Sequence, residues 1–319
     1  MSTRRAVVTG LLATGVLLTA GCSNDTSSTS GGGDTSAAPA DKGDVNLSGQ
    51  NFTETQITAA MYQLLLEDAG YTVTTKLVDT RDVYIPEMDK GNVDVATEYV
   101  SGLADYLNTT QNGDNADPVS SSDLDATTKA LDALAAGSNI SILEPADAVD
   151  ANAFAVTTKF AEDNNVATLS DLAGVGQPIV LAAAPDCEGR TDCEGGLSGD
   201  YGIDISKVLP LGYASTQAID SVNKGESQLV EVASTQAASL AEQGLTVLDD
   251  DQHIQPVQNL VPAVNSDFLG AHPDVAETLN QLSAVLTSDD ISMLDSQVDL
   301  DREDPADVAQ QYLTDKSLI

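Results

Sequence analysis

From Asp44 onwards the chain alternates short period-two segments with helix-period segments, and most junctions carry a cap residue or a glycine. Such a chain folds as an α/β protein. Strands joined by crossover helices build parallel sheets, and these bind ligands beyond the C-terminal ends of their strands. Val45 and Leu47 alternate as a short strand. Thr53-Glu54-Thr55-Gln56 then has the form of a capping box with Thr53 as the N-cap. Ile57, Ala60, Met61, Leu64 and Leu65 fall on one helical face, and Gly70 closes the helix. Tyr71, Val73, Thr75 and Leu77 give the next strand. Further helices are expected over 81–90, 123–136, 169–173, 216–224, 273–286 and 305–313. The last starts with Asp304 as N-cap and Pro305 at the first helical position.

The stretch before Asp44 belongs to no such pattern. Arg4 and Arg5 precede an uncharged run over 6–20. That run is shorter than the roughly 20 apolar residues a membrane-spanning helix needs, and it fits the h-region of a secretory signal. Thr19-Ala20-Gly21-Cys22 resembles the bacterial lipobox, in which the cysteine is acylated and becomes the mature N-terminus; Thr19 stands where Leu is usual. The alternative is an ordinary signal peptide with a chance cysteine. The Arg pair also raises twin-arginine export, although the residues after it match that signal poorly. Residues 1–21 are thus read as a lipoprotein signal peptide. Residues 22–43, rich in Ser, Thr, Gly and Ala, form a flexible tether of roughly 25 Å as a random coil. The expected location is extracytoplasmic, with a lipid anchor in the cell membrane at Cys22.

Charge excludes several partners. The 319 residues carry 13 Lys and Arg against 50 Asp and Glu, a net charge of −37. Removing 1–21 takes away two Arg, leaving 11 basic residues against 50 acidic, or −39. A surface so acidic repels phosphate backbones, so no nucleic acid is expected. Two histidines cannot build a three-His metal site, and neither lies beside a nucleophile motif. No Gly-rich phosphate loop or paired-carboxylate motif is present. The reading is therefore not an enzyme, with no cofactor and no metal. Asp249-Asp250-Asp251 with His253 reads as a solvated acidic turn. Cys187 and Cys193 share a Gly-rich loop, and outside the cytoplasm such a pair reads as a local disulfide. A metal-binding or catalytic dithiol is the rival reading, but no third soft ligand lies nearby.

One internal echo bears on organisation. Lys90-Gly91 leads into Val93 to Tyr99, and Lys224-Gly225 leads into Gln228 to Ala233. Each reads as a helix end, a glycine stop, a strand and polar residues at the strand's C-terminal end. Two such units suggest two similar lobes, although helix–Gly–strand is common in any α/β protein.

Gly49-Gln50-Asn51-Phe52-Thr53-Glu54, directly after the first strand, resembles the opening signature of osmoprotectant-binding lipoproteins. These are the substrate-binding components of glycine betaine/choline/carnitine ABC importers. The resemblance continues through Asn92 to Tyr99, Asn152-Ala153-Phe154-Ala155-Val156, Leu169-Ser170-Asp171-Leu172, Ser234-Thr235, Leu248 to Asp251, and Asp304 to Leu313. It implies a two-lobed type II periplasmic-binding-protein fold with a ligand cleft between the lobes. Lobe 1 would comprise 44–149 and 258–319, and lobe 2 150–257. It also implies a monomer that closes on a small-molecule solute and presents it to an ABC permease in the membrane. A lipid-anchored binder of another polar solute, and a surface interaction module, are the alternatives.

A quaternary ammonium has no N–H to donate, so aromatic faces hold it by cation–π attraction. In the family, tyrosines form that cage. Tyr99 matches one position, and Phe154 sits where a Tyr is common, beside the polar Asn152. Elsewhere the chain departs. The family's Tyr before Ser-Thr is Ala233, another aligns near Gln258, and Thr216 stands where a third is expected, with Tyr213 close by. Gln50 replaces a Lys that some relatives place against a ligand carboxylate. A neutral amide holds a carboxylate more weakly, which favours choline-like or larger, more polar solutes. The implied ligand set is Gln50, Asn51, Thr53, Tyr84, Tyr99, Asn152, Phe154, Tyr213 and Thr216. Amide groups at the Thr53 helix start are further candidates for an anionic group, and Arg81 is a candidate to reach the cleft.

Overall fold

The structure, a computed structural model, describes residues 41–113, 116–185 and 187–319. The signal, Cys22 and nearly all of the tether lie outside the described residues. In chain order the first elements are β1 (Asp44–Gln50), α1 (Thr53–Asp68), β2 (Thr72–Val78), α2 (Arg81–Asp89), β3 (Val95–Tyr99), α3 (Val100–Asn112), α4 (Leu124–Ala135) and β4 (Ile140–Ile142). The middle of the chain supplies β5 (Asn152–Thr157), α5 (Thr158–Asn164), α6 (Leu169–Val175), β6 (Ile179–Ala183), α7 (Glu194–Gly199), β7 (Ile205–Pro210), α8 (Thr216–Asn223), β8 (Leu229–Ala233), α9 (Ala237–Glu242) and β9 (Leu245–Leu248). The last stretch adds β10 (Leu260–Asn265), α10 (Ser266–Ala271), α11 (Asp274–Ser283), α12 (Ser288–Asp299) and α13 (Pro305–Asp315). No helix among the described residues is long and apolar enough to cross a membrane.

Two five-stranded sheets result, in the orders β2-β1-β3-β10-β4 and β7-β6-β8-β5-β9. The orders are the same once each sheet's strands are renamed by role. Four strands point the same way, and the strand the chain uses on arriving from the other sheet is inserted antiparallel: β10 between β3 and β4, β5 between β8 and β9. The sheets are therefore mixed rather than purely parallel. A strand fed in directly by a connecting segment, without a crossover helix, enters from the opposite end. The two halves of the internal echo become β3 and β8, which hold the same place in the two sheets.

Side chains alternate across each strand, so both faces of both sheets carry a core. In the first sheet, Val45, Leu47, Val95 and Leu260 pack under α1, α11, α12 and α13, while Ala96, Val261 and Ala263 face α2, α3 and α4. In the second, Phe154, Leu181 and Leu229 pack with the cysteine pair, and Ala155, Ala182 and Val230 pack with α8 and α9. Each fully buried Leu or Ile in these cores contributes about 1.5–3 kcal/mol.

Cap chemistry sets several helix ends. The Asp304 side chain accepts from Ala306 N–H at 2.9 Å with Pro305 following, as the sequence predicts. Thr53 does not cap α1. Phe52 is the extended residue before the helix, and the Thr53 hydroxyl instead donates to Asp299 of α12 at 2.8 Å. A hydroxyl one residue inside the helix is free to bind a neighbouring element, and α12 offers a carboxylate there. The connections between the sheets run side by side: Leu260 N–H donates to Ala148 at 2.9 Å and Asp150 N–H to Gln258 at 3.1 Å.

Candidate functional site

Parallel strands end at one edge of each sheet, and those edges face one another. Gln50 ends β1, Tyr99 ends β3, Ala184 follows β6 and Ala233 ends β8. The antiparallel β5 starts at the same edge, so Asn152 lies opposite Ala233. A cavity of about 380 Å³ opens between these ends. Gln50, Phe52, Arg81, Tyr99 and Gln258 form one wall, Asn152, Ala184, Arg190, Tyr213 and Glu231 form the other, and Asp150 of the connecting segment lies between them.

The first wall is organised by the alternation of β3. Glu98 and Tyr99 are consecutive, so they point to opposite faces. Glu98 is fully buried, and Arg81 Nε donates to both of its oxygens at 3.0 Å. Tyr84 lies three residues beyond Arg81, on the same helical face, and its hydroxyl also donates to Glu98. Burial works against the Arg81 charge, and the Glu98 carboxylate overrides it, so the guanidinium pKa stands above its usual value. Gly102 makes room for this side chain: a Cβ there would lie 2.6 Å from Arg81 Nη2. On the other face, the Tyr99 hydroxyl donates to Glu54 Oε1 at 2.5 Å, and the Phe52 ring stacks on Tyr99 with centroids 6.1 Å apart.

The second wall takes its cation from a loop. Cys187 and Cys193 are joined in a disulfide with Cα atoms 5.4 Å apart, and Arg190 lies between them. Its Nε and Nη2 donate to the two Asp192 oxygens at 2.9 and 2.6 Å. Asp192 is held in turn by Asn152 Nδ2 at 3.1 Å, and its carbonyl by Gln255 Nε2 at 2.7 Å. Glu231, fully buried on β8, accepts from Ala184 N–H at 2.7 Å and lies 3.9 Å from Arg190 Nη2.

A second cavity of about 320 Å³ adjoins the first, sharing Phe52, Asp150 and Tyr213 with it. Its lining holds Glu54, Asp150, Asp295 and Asp299 and no Lys or Arg. Burial, then the charges of Asp150 and Asp295, raise the Glu54 carboxyl well above the usual range. Burial, then Asp150, push Asp295 up to about 8. Burial also raises Asp150, against a hydrogen bond from Thr235 Oγ1 at 3.1 Å. Burial thus favours the protonated form of each of these carboxyls relative to an exposed one.

Of the residues expected to face a ligand, Gln50, Tyr99, Asn152 and Tyr213 line the first cavity, and Thr53 and Tyr213 line the second. The others lie elsewhere. Tyr84 is buried behind the wall on Glu98. Phe154 is 1% exposed in the core: two residues along β5 from Asn152, it sits about 6–7 Å below the strand's open end. Asn51 is exposed and accepts from Gln56 Nε2 at 3.0 Å. Thr216 is exposed at the start of α8, where Ser215 supplies the cap. Two guanidiniums, Arg81 and Arg190, also line the cleft. Arg190, Asp150, Glu231 and Asp295 were not singled out in the sequence. The one signal available for Arg190 was its place inside the Cys187–Cys193 loop, read there only for its bridge.

A family model described as the substrate binding domain of ABC-type glycine betaine transport system matches residues 43–315. A glycine-betaine-binding protein of Pseudomonas aeruginosa is 25% identical over 287 residues, covering 86% of this chain and 88% of that protein. Among solved structures, a glycine betaine/carnitine/choline ABC transporter protein superposes with a TM-score of 0.74 at 20% identity, over 86% of this chain and 98% of that one. Apo YehZ from Escherichia coli superposes with a TM-score of 0.71 at 23% identity, over 89% of this chain and all (100%) of that one.

Proposed function

The chain belongs to the family of substrate-binding domains of ABC-type glycine betaine transport systems, and from that premise we propose that it captures a small osmolyte of the glycine betaine, carnitine and choline kind. Capture takes place between two lobes, 44–149 with 258–319 and 150–257. The paired connecting segments beside Asp150 act as the hinge, and the closed form delivers its solute to a membrane permease. The protein works as a monomer outside the cytoplasm, moored by acyl chains on Cys22.

The observation that carries this reading is the cleft at the strand ends of both sheets, with one guanidinium on each wall. Arg81 and Arg190 suit a ligand carboxylate, since each is already oriented by a carboxylate behind it. The rings of Phe52, Tyr99 and Tyr213 supply apolar contact for the ligand's other end. Zwitterions are therefore favoured over choline, which lacks the anionic group. Isothermal titration with glycine betaine, carnitine, L-proline and choline tests this. One-to-one binding of a zwitterion, at least about tenfold tighter than choline, is the expected result. Absence of binding by every zwitterion overturns it.

A further inference from the structure

Gly102 is the third residue of α3, and it does not have the positive φ that demands glycine. Glycine is the weaker helix former, so alanine would suit this turn better on conformational grounds. What glycine provides here is space. A Cβ at Gly102 would meet Arg81 Nη2 at 2.6 Å, Cζ at 3.0 Å and Nη1 at 3.3 Å. The guanidinium therefore lies against the bare backbone of the first turn of α3, an approach that only a missing side chain permits.

The fork of Arg81 is only partly used inside the protein. Nε donates to both Glu98 oxygens at 3.0 Å, whereas Nη1 and Nη2 make no hydrogen bond to any described residue. Arg190 differs, because its Nε and Nη2 both donate to Asp192. Glu98 thus holds the Arg81 guanidinium by one edge and leaves its terminal amino groups for a partner in the cavity that Arg81 lines. Gln258 adds to this end of the cleft. Its Oε1 accepts from Gly102 N–H at 3.2 Å, and its Nε2 makes no hydrogen bond to any described residue. The amino groups of a guanidinium and of a carboxamide, both placed beside Gly102, match a carboxylate, which takes such donors in pairs. A quaternary ammonium gains nothing from them, so this end distinguishes solutes by whether they also carry an anionic group.

We infer that Gly102 is a positioning residue: by admitting the Arg81 guanidinium to the first turn of α3, it sets the cleft's preference for zwitterionic over purely cationic quaternary ammonium solutes. The inference rests on the solute-binding reading and adds the residue that tunes it. Gly102→Ala acts through Arg81. The atoms that a Cβ would meet are the far end of a long, flexible side chain, so the guanidinium swings aside with little cost to the fold. Nε can keep its contact with Glu98 while Nη1 and Nη2 lose their aim.

The check is calorimetry on the full chain with glycine betaine, carnitine and choline, alongside thermal melting. In Gly102→Ala the ratio of glycine betaine to choline affinity should fall about tenfold, carnitine should follow glycine betaine, and the melting temperature should hold or rise. Arg81→Lys keeps a cation beside Glu98 without the planar fork. In that background, Gly102→Ala should leave the ratio where Arg81→Lys put it, and this non-additivity separates positioning from packing. A ratio that Gly102→Ala does not move, or moves equally in both backgrounds, overturns the inference and leaves solute capture standing. So does a Gly102→Ala protein that melts lower and loses all three solutes alike. Failure of the wild type to bind either zwitterion overturns the solute-binding reading and this inference together.

Discussion

The two walls of the cleft present the same charge by different means. On the first, Arg81 opens α2 and Tyr84 follows one turn later, so a regular helix aims both at Glu98 on β3. On the second, Arg190 projects from a cross-linked loop onto Asp192, with Glu231 of the equivalent strand β8 behind. Both walls place a buried glutamate on the third parallel strand of a sheet. They differ in what fixes the cation: ladder hydrogen bonds and a helix face in one case, a covalent staple in the other. Positioning by a helix should therefore be insensitive to reductant, and positioning by the loop should depend on it.

The largest expected contrast is in stability. Glu98→Ala leaves the Arg81 guanidinium and Tyr84 hydroxyl without their shared acceptor, and should cost about 3–5 kcal/mol in chemical denaturation. Glu231→Ala should cost less, about 1–3 kcal/mol, because Arg190 keeps Asp192 and the main loss is the acceptor of Ala184 N–H. Equal costs would erase the distinction between the walls. Next comes the staple. Reducing the Cys187–Cys193 bridge should remove about 2 kcal/mol of chain-entropy stabilisation and weaken zwitterion binding by about tenfold. In Arg190→Ala, reductant should change affinity no further. If it still does, the loop acts through something other than its arginine.

A smaller effect concerns pH. The folded-state pKa of Asp295 is raised from 3.8 to about 8, so between those values the folded chain holds a proton that the unfolded chain has lost. Stability of the empty protein should then be greatest near the low end of that window, fall as pH rises towards 8 and level off above it. Melting curves of wild type should drop by a few degrees across the window, and those of Asp295→Asn should be flatter. The smallest contrast is between caps. Thr287 and Asp290 cap α12 reciprocally, whereas Ser215 alone caps α8. Thr287→Ala should cost about 1 kcal/mol and Ser215→Ala somewhat less in thermal unfolding.

Much of the fold was legible because its signals are local. Asp304-Pro305 and Gly70 mark helix ends by backbone chemistry that needs no tertiary partner. The family motifs led to Gln50, Tyr99 and Asn152 on the wall for a similar reason: each sits at a strand terminus, where position along the sequence fixes position in space. Phe154 and Tyr84 misled because the motif gives residue type but not depth; one lies below the strand's end and the other behind the wall. Arg190, Asp150 and Asp295 were illegible for the opposite reason. Their roles arise only when a loop, a connecting segment and a helix near the C-terminus converge, and among 50 acidic residues no pattern distinguishes the few that become buried.

The shared strand order has a consequence for synthesis. The second sheet is drawn wholly from residues 152–248, one uninterrupted stretch. The first lacks β10, the strand joining β3 to β4, until residues 260–265 emerge. A chain emerging from its N-terminus must therefore hold an unfinished sheet, with the flanks of β3 and β4 bare, while the later-made half is completed. During that interval the exposed edges invite wrong pairing, and a factor that shields nascent strands would find its work there.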